Sequence, residues 1–171
     1  MSKINIRKVR LSDACNLTVL KQQVWIATYA TEGIRLEFSQ YVLDAFTVKH
    51  SEQAIEDKAR SILIAEQDNH LIGCVEIDHQ ATCPNKSING PEITVLYVLE
   101  RFCGQAIGQQ LLDAALQHVK AMKEDTCWLT VFHGNERAIR FYEKNAFKRR
   151  GATIFEMDGN HYENFIMVCR V

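Results

Sequence analysis

The segment from Glu92 to Phe132 constrains this chain most. Ile93-Thr94-Val95-Leu96-Tyr97-Val98-Leu99 is too continuously apolar for a surface strand, so a buried strand is expected over Glu92–Leu99. Gly104 and Gly108 bracket the turn that follows. A helical period then places Ile107, Leu111, Leu112, Ala115, Leu116 and Val119 on one face. Cys127–Phe132 reads as the next buried strand. Two strands joined by a helical crossover in one sheet connect with a right-handed turn, which makes them parallel neighbours. The chain is therefore held to an α/β fold with a parallel pair at its centre.

The flanking sequence completes a sheet around that pair. Ile4–Val9 alternates apolar and polar residues as an opening strand, with Ser12-Asp13 as the expected N-cap of a helix. Leu17, Leu20, Val24, Trp25 and Tyr29 keep a helical spacing until Gly33, and Phe38, Tyr41, Val42 and Phe46 belong to a second helix. Ser61–Glu66 and Leu71–Asp78 read as a hairpin about the polar turn Gln67-Asp68-Asn69-His70. His79–Pro91 is a loop, and Asn135–Asn145 is a short helix. Ile154–Met157 and Tyr162–Val171 close as a hairpin around Asp158-Gly159-Asn160. The expected order is β-α-α-β-β-β-α-β-α-β-β: a mixed central sheet with flanking helices, one domain over residues 1–171.

Composition narrows the partners. Lys plus Arg number 20 against 21 Asp plus Glu, a net charge of −1 with the charges scattered, so no nucleic-acid footprint is present. The longest apolar stretches are about five residues, far short of a membrane span. Met1–Arg7 lacks the apolar core of a signal peptide. The 6 cysteines form no C-x-x-C pair and have no histidine at metal-ligand spacing. A cytoplasmic protein with no metal, nucleic-acid or membrane partner is expected.

Chemistry enters at the start of the central helix. A helix N-terminus offers unpaired N–H groups and about half a positive charge, which suits a phosphate or pyrophosphate. Two glycines easing a tight turn explain the same residues without a ligand. The Lys-Ser/Thr of a nucleotide P-loop is absent, since Gln109-Gln110 follow Gly108, and so is a three-glycine dinucleotide fingerprint. Leu96 to Leu112 closely resembles the acyl-CoA-binding segment of the GNAT (GCN5-related) N-acetyltransferases, a strand ending in Gln/Arg-x-x-Gly-x-Gly/Ala before a helix with a Leu-Leu pair. Asn135-Glu136-Arg137-Ala138-Ile139-Arg140-Phe141-Tyr142-Glu143-Lys144-Asn145-Ala146-Phe147 resembles the second signature, Asn-x-x-Ala-x-x-Phe-Tyr-x-x-x-Gly-Phe. With Ile107-Gly108 and Leu111-Leu112 as anchors, Cys103 stands where Gln or Arg is usual, and Ala106 and Ala146 replace glycines. The match beginning at Arg101 would misplace the Leu pair. Alanine fits at 106 and 146 only at negative φ.

The resemblance implies an acetyltransferase in which an amine attacks acetyl-CoA directly, with no metal. It assigns cofactor contacts to Leu96, Val98, Cys103, Gly104, Gln105, Ala106, Ile107, Gly108, Gln109 and Asn135. Leu96 and Val98 would bind pantetheine, Cys103 to Gln109 the pyrophosphate, and the cofactor would enter where the two central strands end. Tyr142 aligns with the tyrosine that protonates the leaving thiolate, against the plain reading of a packed aromatic. Glu92 has the offset of a general-base glutamate, against that of an exposed strand-end carboxylate. Trp25 and Tyr29 border the acceptor pocket in such enzymes, although aromatic residues spaced by four are more often core. Asn135 serves equally as an N-cap, and Cys103 as a small buried filler. The expected acceptor is a small-molecule amine, with Glu32, Glu37 and Asp44 either an acidic approach for a polyamine or a solvated face. Protein acetylation and a non-catalytic acyl-CoA-binding module are the alternatives. The apolar run Phe165–Cys169 suggests a homodimer, or else an internal strand.

Overall fold

A computed structural model describes residues 3–171. The chain divides into two compact units, one of residues up to Ile77 with Val95–Ala115, the other of Asp78–Thr94 with Leu116–Val171.

In the first unit, β1 (Asn5–Lys8) pairs antiparallel with β2 (Arg60–Gln67) from Asn5↔Glu66 to Lys8↔Leu63. β2 turns into β3 (His70–Asp78) through Asp68 and Asn69, both at positive φ (51° and 63°). Two consecutive left-handed residues are the mark of a type I′ hairpin. Three helices, not two, separate β1 from β2: α1 (Ala14–Tyr29), α2 (Leu36–Ala45) and α3 (Val48–Glu56). The third is capped by Thr47, whose hydroxyl accepts the His50 N–H at 3.1 Å. Asp13 holds the N-cap position of α1, as expected, but its side chain makes no capping bond to that helix. It ends a 3₁₀ turn (Leu11–Asp13), and its carboxylate accepts the Arg10 N–H at 2.7 Å and the Arg7 guanidinium at 2.8 and 3.0 Å. The core joins Val9, Leu17, Leu20, Ile62, Ile64 and Cys74, with Val95, Tyr97 and Leu99 packed against it.

Those last residues belong to or follow β4 (Glu92–Val98), which begins in the second unit and ends in the first. β4 is less buried than its composition predicts. Ile93 is buried, but Val95 to Val98 are only partly so, on both faces of the strand. Gly73 of β3 is the point of closest backing: a Cβ there would lie 2.8 Å from the Tyr97 carbonyl oxygen and 3.0 Å from Leu111 Cδ1. β4 leads through a 3₁₀ turn (Glu100–Phe102) to α4 (Ile107–Ala121).

In the second unit, β5 (Thr126–Phe132) pairs parallel with β4 at Glu92↔Trp128, as the crossover rule requires. α5 (Glu136–Lys144) precedes the hairpin of β6 (Lys148–Met157) and β7 (Asn160–Arg170), which turns through Asp158 and Gly159 at φ 47° and 76°. β7 pairs antiparallel with both β5 and β6. Phe165–Cys169 is thus an internal strand, which accounts for its apolarity without a partner molecule. Trp128, Ile166 and Cys83 form a core under the 79–91 loop, with the Trp128 indole N–H on the Gly90 carbonyl at 3.0 Å. The mixed sheet has the order β1-β2-β3-β4-β5-β7-β6. Among the described residues no helix is long and apolar enough to cross a membrane.

Candidate active site

The cofactor segment is built on the end of β4. Leu99 donates to the Ile72 carbonyl at 3.0 Å, the last rung tying the strand to β3. The chain then tightens, with Phe102 N on Leu99 O at 2.8 Å and Cys103 N on Glu100 O at 3.1 Å. The Cys103 thiol turns back toward the Val98 and Leu99 carbonyls at 3.8 and 3.7 Å. The residue is only partly buried, and its thiol also lies 3.9 Å from the Glu100 carboxylate. Gly104 and Ala106 follow at φ 80° and 59°. Gln110 N donates to Ala106 O at 3.0 Å, so the N–H groups of Ile107, Gly108 and Gln109 lie in the open first turn of α4. Ile107, Leu111 and Leu112 are all buried, which seats the Leu pair on the core and agrees with the register anchored on Ile107-Gly108.

Both alanines that replace glycine contradict the condition set for them. Ala106 at φ 59° and Ala146 at φ 64° occupy the left-handed region, not negative φ. The reason is local: each sits at a helix boundary, Ala106 just before α4 and Ala146 just past α5, where the chain must reverse its twist. Ala146 donates to Glu143 O at 3.2 Å, and Phe147 donates to Tyr142 O at 3.0 Å, the bonds of a glycine-type helix end. A Cβ in this region costs roughly 1–2 kcal/mol per residue.

In the second unit, Asn135 does cap its helix. Its Oδ1 accepts the Ala138 N–H at 3.1 Å, which leaves Nδ2 outside that bond. Tyr142, about two turns on, is 8% exposed, its ring 5.4 Å from Phe141 and 5.5 Å from Phe147. Glu92 is partly buried at the β4 end that pairs with β5. His133 is exposed and rests against Phe132 at 4.8 Å.

Trp25 and Tyr29 belong to an aromatic cluster in the first unit. Trp25 is 5% exposed, with Tyr29 at 4.7 Å, Tyr41 at 4.9 Å and Phe38 at 5.4 Å, so it packs as core. Three phenols meet here: burial raises the pKa of Tyr29, Tyr41 and, furthest, Tyr97 of β4, which also feels Tyr29, Cys74, Tyr41 and Glu76. Beneath them the buried Lys21 and Glu76 form an ion pair. Tyr41, Tyr97, Lys21 and Glu76 escape sequence reasoning, because α1, α2, β3 and β4 must fold before they meet. The one available signal is a tyrosine in the otherwise aliphatic run Val95–Leu99. Among the described residues no group of His, Cys, Asp and Glu is placed to hold a metal ion.

Comparison with known proteins adds an independent line. The model of the acetyltransferase (GNAT) family matches residues 26–147. An uncharacterized N-acetyltransferase of Mycobacterium tuberculosis (strain ATCC 25618 / H37Rv) is 28% identical over 114 residues, 67% of this chain and 69% of that protein. Another, from Archaeoglobus fulgidus, is 31% identical over 88 residues, 52% of this chain and 60% of its own. Among solved structures, the PaiA N-acetyltransferase from Thermoplasma acidophilum in complex with coenzyme A superposes with a TM-score of 0.79 at 24% identity, covering 99% of each chain. YncA from Salmonella typhimurium with acetyl-CoA gives 0.67 at 13% identity, covering 98% of this chain and 93% of that one.

Proposed function

Because this chain belongs to the GNAT family of acetyltransferases, we propose that it moves the acetyl group of acetyl-CoA to the primary amine of a small molecule by direct attack. The observation that carries this reading is the open first turn of α4 behind a half-buried apolar β4. Within the segment Cys103–Gln109 the N–H groups from Gly104 to Gln109 suit the pyrophosphate, that of Cys103 being held by the Glu100 carbonyl; Gly108 lets the ligand approach, and the backbone of Leu96 and Val98 suits pantetheine. The co-substrates seen with PaiA and YncA support acetyl-CoA as the donor.

In the proposed reaction the amine nitrogen forms a bond to the thioester carbonyl carbon. Charge grows on the carbonyl oxygen, where the Val98 N–H offers a fixed donor. The C–S bond then breaks, and the leaving thiolate takes a proton from the Tyr142 hydroxyl. A phenol near 10 and a thiol near 8.5 are close enough for that transfer within a hydrogen bond. Glu92 takes the proton that the amine loses, directly or through water. Asn135 contacts the cofactor through the amide edge its cap leaves over. The free cysteines suit a reducing cytoplasm.

A second reading has specific support. The Cys103 thiol is turned toward the Val98 and Leu99 carbonyls and Ala106 holds a left-handed φ in the loop, which favours weakened cofactor binding and a non-catalytic module. Thiol release from acetyl-CoA across a panel of amines, measured beside calorimetric binding of CoA, separates the two. Release that depends on the amine supports the enzyme, and binding without release supports the module.

A further inference from the structure

On the acetyltransferase reading, Tyr97 leaves β4 between the two residues assigned to the pantetheine, so its side chain marks where an acceptor would meet the thioester. It packs on the core side of the strand, with Cys74 and Leu17. Tyr29 of α1 and Tyr41 of α2 lie within electrostatic reach of it, and all three side chains keep some exposed surface. Trp25 and Phe38 are buried and meet edge to face at 5.4 Å. Two carboxylates of this unit are already matched by cations of the chain, Glu76 by Lys21 and Glu37 by Arg35 at 2.6 Å.

Resting on that reading, we infer that Tyr29, Tyr41 and Tyr97 form the wall that receives the acceptor's body, and that this wall selects a primary monoamine with an aromatic or apolar body over a polycation. A second ammonium group would lose water against carboxylates that have no charge left to offer. Trp25, the best ring for cation–π attraction, is covered by Tyr29, Phe38 and Tyr41, and the Phe38 ring already carries the Arg35 guanidinium at 4.5 Å. An aromatic body instead adds ring-to-ring contacts and hides apolar area. Glu32 and Asp44 are exposed and then read as a solvated face, while Glu37, its side chain 11% exposed, is committed to Arg35 and not to a polyamine approach.

The test compares kcat/KM at saturating acetyl-CoA for 2-phenylethylamine and hexylamine with that for putrescine and spermidine. The monoamines are expected to win by roughly tenfold or more, the size of discrimination an apolar pocket achieves. Tyr41→Ala should raise the KM for 2-phenylethylamine by about tenfold and leave that for acetyl-CoA in place, and Tyr41→Phe should restore it, since the ring makes the wall. Tyr41 is preferred to Tyr97 for truncation because Tyr97 packs on the core, and loss of its ring risks the fold. Preference for putrescine or spermidine, or an unchanged amine KM in Tyr41→Ala, overturns the inference and leaves the enzyme standing. Acetylation of no amine by a protein that binds CoA overturns both.

Discussion

Removing the hydroxyl of Tyr142 while keeping its ring separates chemistry from packing, because Phe141 and Phe147 hold the ring. Tyr142→Phe should lower kcat by about 10- to 1,000-fold with little change in the acetyl-CoA KM, as steady-state kinetics would show. Glu92→Gln should depress the rate chiefly at low pH, where the amine arrives protonated, and recover in part as pH rises. If both variants match the parent across roughly pH 6–9, positioning and desolvation remain as the source of rate. The two left-handed alanines give a test of another kind. Ala106→Gly and Ala146→Gly each relieve a strained Cβ but add freedom to the unfolded chain, a net gain of roughly 0.5–1 kcal/mol. Thermal melts should rise by about 1–4 °C for each. An unchanged or lower melting temperature would show that the alanines fit without strain.

At the level of elements, the start of α4 is where binding should be most easily broken without unfolding. Gly108→Asp puts a carboxylate in the first turn, which the helix tolerates, at the place proposed for the pyrophosphate. CoA affinity measured by calorimetry should collapse while the far-ultraviolet circular dichroism stays that of the parent. This turn was legible in the sequence because glycine spacing and the Leu111-Leu112 pair are local signals. Helix α3 was not: its buried residue is Ser51, which bonds Thr18 of α1 at 2.6 Å, while Ala54 and Ile55 are only partly buried against the core. A polar contact between two helices leaves no periodic apolar stripe to read. The half-buried state of β4 was equally hidden, since composition reports what a strand could bury and not what packs on it. The left-handed φ at 106 and 146 could be inferred only by trusting the glycines that the resemblance expects over the alanines present.

Across the whole molecule, acid should loosen the edge where β1, the 3₁₀ turn and β2 are clamped together. Arg7 bonds Asp13 in a fork and Glu66 at 3.0 Å, and it holds both carboxyls below their ordinary range. A carboxyl with a lowered folded pKa stabilises above its unfolded value and loses that stability as pH falls through the folded one. Denaturation midpoints should therefore drop as pH falls below about 4, the ordinary carboxyl range. Arg7→Gln should make that drop shallower. A homodimer formed through a sheet edge would use β1 or β6, the latter carrying Ile154 at 54% exposure, and light scattering would then give twice the 19.6 kDa of the chain. A monomer at tens of micromolar removes it. The contact of Gly73 with the Tyr97 carbonyl reaches further than either. A single methyl at 73 would push the strand proposed to carry the thioester from behind, without touching any substrate. In an unbiased screen for lost activity, position 73 would surface beside the loop residues, and such a hit could be mistaken for a remote regulatory site when it is only the backstop of a strand.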